Sequence, residues 1–451
     1  MQNNKTKTQM DHVCICIPTK DRPEMVEEVL EYTFPYYTDY GFRVMYVDSS
    51  DSPATRKIVE AWQRRGYHNL LWKPMNPEFC LDRKTFEILR SDEDIYRAET
   101  EYVWLINDSI AILPEALDAI AEVIPQHYDL IRLPASGEGK REDYICTDIN
   151  DWFHTCSKSM AHMVTTIMRT TLLRAAPDWE QLYAKYVVTD SIGDGKHEYF
   201  YTLGLYLEQI AKLEQFRGIM LGKRVEWRRD SPCKKGRSYW NAIIFEVWAR
   251  SYCDTILKLP ECYTNKREVI RSSDNIVYGR FERQMMLVYR RQGLLTEEIA
   301  RQYRSYWDMV STLSYDEIMR IAVASEEELA GERFFDLSAW ETNVTRLEEL
   351  AANQQILVYG AGAYGAQVLK KLKDDGVGKQ IVGVAVSDPS VNPDFLEGYP
   401  VRCIRDYFVL KDQVQILIAT LPDAAMEIEH LLKDMGFQSC HLIFEVIERQ
   451  G

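Results

Sequence analysis

Four short segments, each read as a strand end or loop, carry the residues best suited to chemistry: Pro18-Thr19-Lys20-Asp21-Arg22, Asp48-Ser49-Ser50-Asp51, Leu81-Asp82-Arg83-Lys84 and Ile106-Asn107-Asp108-Ser109. Polar residues at the carboxyl ends of strands are the first candidates for chemistry, and Lys and Arg side chains grip phosphate oxygens. Taken singly, an Asp after a strand serves equally as a helix cap or turn former. It is the recurrence of these segments, strand by strand, that joins them into one candidate site. A second basic set, Arg224, Arg228, Arg229, Lys234, Lys235 and Arg237, is able to hold a phosphorylated small molecule, and is equally a solvated basic stretch.

Gly360-Ala361-Gly362-Ala363-Tyr364-Gly365 has the G-x-G-x-x-G spacing. Between a strand and a helix, these glycines permit a tight turn and bring backbone N–H groups close to a phosphate at the positive helix end. Asp388, after the next strand, stands where a ribose-binding acid would, though further along than the usual spacing of about 20 residues. A tight turn that binds nothing is the alternative.

The elements needed to position these residues are legible as apolar runs. Residues 12–17, 42–47 and 102–106 read as strands, each followed by a helical pattern, the last opened by Pro114. Such alternation implies a mostly parallel sheet with covered faces, whose ligands gather beyond the carboxyl ends of the strands. Between about residues 238 and 353, Met285, Met286, Val288 and Tyr289 recur at helical spacing, and core packing explains such a stripe better than a cofactor box. From Gln354 the alternation resumes, with strands over 356–359, 381–386 and 416–420 and a helix over 366–372, in a unit about half the size of a full dinucleotide-binding domain.

At 451 residues, with 46% hydrophobic and 27% charged residues, the chain is that of a folded protein of several domains. Its net charge of -15 argues against nucleic acid and anionic lipid as partners, since both require a broad basic face. Residues 1–11 are polar, and no stretch reaches the roughly 20 apolar residues of a membrane span, so a cytoplasmic protein with no transmembrane segment is expected. The ten cysteines lack paired C-x-x-C spacing, which favours reduced core thiols.

Over about its first half, to Arg237, the chain resembles the family 2 type of glycosyltransferases with the GT-A fold, and more narrowly the bacterial branch found in surface-polysaccharide clusters. The resemblance is carried by Pro18-Thr19-x-x-Arg22 after the first strand, Asp48 after the second, Arg83-Lys84, and Asn107-Asp108-Ser109 at the position of the D-x-D motif. It implies that Pro18, Thr19, Asp21 and Arg22 form the nucleobase loop and that Asp48 reaches the base or ribose. Arg83 and Lys84 would face the donor diphosphate, and Asn107 and Asp108 the metal-bridged phosphates. Asp108 is the one strong oxygen ligand left in the motif, for Mg2+ or Mn2+. In the resembling enzymes a Glu-Asp pair opens the acceptor-side helix and its second acid is the base. Here His197-Glu198 takes that place, with Glu198 as base and His197 orienting or replacing it. An acid favoured by the helix dipole is the plainer reading. Arg217, Lys223, Arg224, Arg228 and Arg229 fall where the family closes over the donor phosphates.

The implied organisation is a polar tail over 1–11, a GT-A domain with a mixed, mostly parallel sheet over 12–237, a helical region over 238–353, and a small Rossmann-like, doubly wound domain over 354–451, similar to NAD-binding-like domains beside sugar-modifying enzymes. The implied partners are a nucleotide-diphospho-sugar donor and a saccharide or lipid-linked saccharide acceptor, with homo-oligomerisation left open. An NAD(P)-dependent nucleotide-sugar oxidoreductase or epimerase using Gly360, Gly362, Gly365 and Asp388, and a non-catalytic scaffold or sensor, are the alternatives.

Overall fold

The computed structural model describes residues 10–91, 93, 95–112, 114–134, 142–175, 178–187, 199–222, 226–228, 242–274, 280–325, 328–329, 340–342, 346, 350, 355–420, 422–443 and 446–449. The chain divides into two compact units, residues 1–136 with 141–273, and residues 137–140 with 274–451.

The first unit opens with β1 (Val13–Thr19), α1 (Pro23–Tyr40), β2 (Arg43–Asp48), α2 (Ala54–Arg64), β3 (Leu70–Pro74), α3 (Leu81–Ser91), β4 (Tyr102–Leu105), β5 (Ile110–Ile112) and α4 (Pro114–Val123). It continues through β6 (Leu130–Arg132), β7 (Tyr144–Cys146), α5 (Ile149–Met160), β8 (Thr166–Arg169), α6 (Thr170–Arg174), α7 (Trp179–Tyr186), α8 (Tyr201–Ile210), β9 (Gly218–Met220) and β10 (Glu226–Arg228). Its main sheet has the order β3-β2-β1-β4-β8-β6-β9-β7. Strands β1 to β4 are mutually parallel. β8 runs against both β4 and β6, which restores β6 and its parallel neighbour β9 to the direction of β4.

Every residue of β1 is buried, as a strand covered on both faces requires. Val13, Ile15 and Ile17 join one core with Phe34, Trp62, Trp104, Leu117 and Ile120. Cys14 and Cys16 point to the opposite face. Helix α1 begins with Pro at its first position and ends at Gly41, whose φ of 77° is left-handed and whose N–H returns to Thr38 O. This stop turns the chain directly into β2. The described cysteines are free thiols, most of them buried.

A π-helical turn, Phe245–Ser251, leads into α9 (Tyr252–Lys258) and α10 (Lys266–Asp274), which end the first unit. The helices expected over 238–353 are therefore divided between the units. In the second lie α11 (Arg283–Arg291), α12 (Glu297–Gln302), α13 (Arg304–Val310) and α14 (Tyr315–Val323), the last opened by a Ser314–Glu317 capping box. Met286, Val288 and Tyr289 of α11 are buried, in keeping with a packing role.

Next come β11 (Trp340–Thr342), β12 (Gln355–Tyr359), α15 (Ala363–Asp374), β13 (Ile381–Val386), β14 (Phe395–Leu396), β15 (Tyr399–Cys403), β16 (Val414–Ile418), α16 (Pro422–Asp434), β17 (Cys440–Leu442) and β18 (Ile447–Arg449). The sheet order is β14-β15-β13-β12-β16-β17, parallel except for β14 at the edge. Ile356 and Val358 enter one core with Val368 and Leu372, while Leu357 and Tyr359 enter another with Ala425 and Leu432. Two cores on two faces make this a small doubly wound sheet, and the mixed, mostly parallel architecture of the first unit is likewise the one expected.

Candidate functional site

Parallel pairing sets the carboxyl ends of β1 and β2 level, with β4 ending three residues short of β1 on its other side. Thr19 pairs with Asp48 across β1 and β2, and Cys16 pairs with Leu105 across β1 and β4. Two residues beyond β4 a turn closes through Ile110 N–H and Asn107 O at 3.1 Å. Asp108 thereby arrives beside Thr19.

There, Thr19 Oγ1 donates to Asp108 Oδ2 at 2.9 Å and Arg22 Nη1 donates to Asp108 Oδ1 at 2.6 Å. The carboxylate is buried, with side-chain exposure of 6%, whereas the guanidinium reaches solvent at 39%. Behind them, Lys84 Nζ donates to Thr19 O at 2.8 Å. Burial pushes the Lys84 ammonium down to about 8, against the raising pull of Asp108 and then Asp48, with Lys20 adding to the fall. The cluster thus holds an inner cation, a buried carboxylate and an outer cation facing water.

Asp48 ends β2, opposite Thr19, with its carboxylate engaged. Its Oδ1 accepts from Ser50 N at 2.9 Å and Ser50 Oγ at 2.5 Å, and its Oδ2 accepts from Trp72 Nε1 at 3.1 Å. It ties β2 to β3 and to the loop after β2. Asp21, at φ 51°, donates its N–H to the same Ser50 Oγ at 2.7 Å, and Lys20 Nζ donates to Pro77 O at 2.6 Å. The loop carrying Arg22 is therefore fixed from both sides. Pro18 is buried within β1, opposite Val47.

Leu81-Asp82-Arg83-Lys84 is the first turn of α3, not a strand end or loop, with Lys84 N–H bonded to Cys80 O. Successive residues on a helix point about 100° apart, and Arg83 and Lys84 leave α3 in different directions. Arg83 pairs with Glu87 at 2.5 Å and lies over the rings of Tyr183 and Phe79, whereas Lys84 turns to Thr19 O. Arg217 also departs from expectation. It precedes β9 at the amino end of the parallel strands, with Nη1 donating to Gln126 O at 2.8 Å and its guanidinium over Tyr128. This is the sheet edge opposite Asp108. His197, Glu198, Lys223, Arg224, Arg229, Lys234, Lys235 and Arg237 lie outside the described residues, as does the side chain of Arg228.

Two features at the site end of the sheet had not been singled out. Arg132 closes β6 fully buried, its Nε donating to Ser159 Oγ at 2.7 Å; an arginine ending the apolar run from Leu130 was its signal. Trp248 of the π-helical turn lies against Phe200 and Tyr252, with ring centroids 5.0 and 5.5 Å away, and against His162 at 6.2 Å. His162 precedes β8, whose reversed direction puts its start at this end of the sheet.

Both Asp108 oxygens already accept from Arg22 and Thr19, and both Asp48 oxygens are engaged by Ser50 and Trp72. Among the described residues no three His, Cys, Asp or Glu side chains group together to hold a metal. The described residues do not fit the implied divalent cation.

In the second unit the glycines have local explanations. Gly360 has φ 119°, and a Cβ there would lie 2.8 Å from Ala419 O; a Cβ on Gly365 would lie 1.9 Å from Gly360 O. Gly362 caps α15, accepting from Ala366 N–H. Asp388 is exposed and accepts from Ser390 N at 2.9 Å and Oγ at 2.6 Å, bonds that hold its carboxyl below the usual range.

No family model and no curated protein matches the chain. Among solved structures, S. aureus TarS 1–349 is similar at 15% identity over 72% of this chain and 93% of that one, with a TM-score of 0.39. A mannosyltransferase, PcManGT from Pyrobaculum calidifontis in complex with GDP-Man and Mn2+, is similar at 13% identity over 69% and 86%, with a TM-score of 0.36. Among the described residues no helix is long and apolar enough to cross a membrane.

Proposed function

We propose that the first unit is a GT-A glycosyltransferase of the family 2 type, moving a sugar from a nucleotide-diphospho-sugar to a hydroxyl of a glycan or lipid-linked saccharide in the cytoplasm. The observation that supports this reading is the Thr19–Arg22–Asp108 cluster, backed by Lys84, beyond the carboxyl ends of parallel strands β1 and β4. That end is where ligands of open α/β sheets bind. Rupture of the anomeric bond leaves charge on the departing diphosphate, and a preorganised cation at a partly dry site stabilises that charge. Arg22 is positioned for this role, with the fixed loop around Asp21 and Ser50 beside the nucleoside.

On the acceptor side Glu198, with His197 beside it, is assigned as the base that takes the hydroxyl proton while the oxygen attacks the anomeric carbon in an inverting displacement. Tyr199, next in the chain, is anchored through its N–H to Ser251 Oγ at 2.9 Å, immediately before α8. The NAD(P) alternative has no comparable support, because Gly360 and Gly365 are accounted for by close packing and Asp388 by its own turn.

The test is release of the nucleotide leaving group, UDP, GDP or dTDP from the corresponding diphospho-sugars and CMP from a CMP-sugar as the monophosphate control, with saccharide acceptors. Glu198→Gln is expected to lower kcat by about 100-fold or more while leaving donor binding intact. Full activity in that variant would remove Glu198 from the mechanism. No turnover of any donor, together with a nicotinamide absorbance change, would replace the transferase by the oxidoreductase.

A further inference from the structure

We infer that Arg22 occupies the role that a bound divalent cation fills in D-x-D sites, and that Asp108 serves to hold Arg22 rather than a metal. This rests on the donor-site reading above and specifies how that site meets the diphosphate. Three observations carry it.

The first is occupancy. The carboxylate that would ligate the ion uses Oδ1 for Arg22 Nη1 and Oδ2 for Thr19 Oγ1. With Asn107-Asp108-Ser109 at the D-x-D position, an amide and a hydroxyl stand where the two carboxylates of the motif would, and Asp108 is the one carboxylate of the three. Asp48 cannot substitute, because Ser50 and Trp72 engage both of its oxygens.

The second is charge. Lys84 lies buried beneath the same carboxylate, held on Thr19 O. A dication seated on Asp108 would have to displace one guanidinium and settle above an ammonium, in a pocket whose positive partners are already supplied by the chain. Like charges brought together at partial burial repel strongly.

The third is geometry. Arg22 gives one N–H to Asp108 and is the exposed member of the pair. Among the described residues its other guanidinium N–H groups have no protein partner. A guanidinium fixed along one edge by a carboxylate and open along the others is preorganised for two phosphate oxygens. Asp108 then acts as a positioning residue, fixing the orientation of Arg22, and Thr19 fixes Asp108.

The experiment uses the full chain, with Mn2+, UDP, GDP, CDP and dTDP as probes. Free Mn2+ is followed by electron paramagnetic resonance with and without each nucleotide, and nucleotide affinity is measured by calorimetry in excess EDTA and in Mn2+. The expected result is an affinity that agrees within about two-fold under both conditions, with no nucleotide-dependent uptake of Mn2+. Arg22→Gln should weaken binding about ten-fold or more, the worth of one or two charged hydrogen bonds, and Arg22→Lys should recover part of it. Nucleotide-dependent Mn2+ uptake abolished by Asp108→Asn would overturn the inference, as would unchanged affinity in Arg22→Gln. Absence of binding by all four nucleotides under both conditions would overturn the donor-site reading and this inference with it.

Discussion

Replacing Lys84 by Met tests the electrostatics beneath the site. Burial lowers the Lys84 ammonium from 10.5 to about 8, which at about 1.4 kcal/mol per pH unit amounts to about 3 kcal/mol held against the folded state at neutral pH. Between those two values the unfolded chain binds more protons than the folded one. Stability contributed through this group therefore rises with pH across that window and is lowest below it. Lys84→Met removes the ionisation and also the bond to Thr19 O, although Ser49 N–H still donates to that carbonyl at 3.1 Å. At neutral pH the two effects offset in part, so the decisive quantity is the pH dependence of the difference. From about pH 7.5 to about 9.5 the native protein should gain about 2 kcal/mol relative to the variant. Urea unfolding followed by tryptophan emission is suited to this, because all tryptophans except Trp307 and Trp340 lie in the first unit. Parallel stability curves for the two proteins across that range would refute the reasoning and place the charged ammonium in a well-compensated setting.

Asp48→Ala should destabilise the first unit by about 3 kcal/mol in the same assay, because it leaves the N–H groups of Trp72 and Ser50 without their acceptor. A loss under about 1 kcal/mol would show that Asp48 does not tie those loops together. Gly365→Ala forces a Cβ to within 1.9 Å of Gly360 O, and calorimetry should record a fall of several degrees in the melting of the second unit; unchanged melting would mean the glycine turn relaxes freely.

Much of the fold was legible because its strands are continuous apolar runs ended by polar residues. The run before Pro18, the one before Asp48 and the one before Asn107 all became parallel strands of the first sheet. β3, with only Leu70–Pro74, and β6, β8 and β9, with three or four residues each, are too short to show a period. The segment 81–84 read as a loop because no strong capping residue precedes it, yet the buried Phe86, Ile88 and Leu89 continue its helix.

The site was legible as a set of strand ends and illegible as a set of partners. Arg22 and Asp108 lie 86 residues apart, and Asp48 and Trp72 lie 24 apart, so their pairing depends on sheet order rather than on any local pattern. Arg217 was assigned to the phosphate region from its place along the chain. The direction of β9, set by its parallel partner β6, puts it at the other end of the sheet.

The central claim is that the Thr19–Arg22–Asp108 cluster binds a nucleotide-diphospho-sugar. The most direct measurement is a thermal-shift panel of UDP-, GDP-, CMP- and dTDP-sugars, alongside NAD(H) and NADP(H), on the native chain and on Arg22→Ala, since a ligand of the native state raises its melting temperature. The account predicts stabilisation by one nucleotide-sugar class that is lost in Arg22→Ala. Stabilisation by a dinucleotide alone, or by a nucleotide-sugar equally in both proteins, would contradict it.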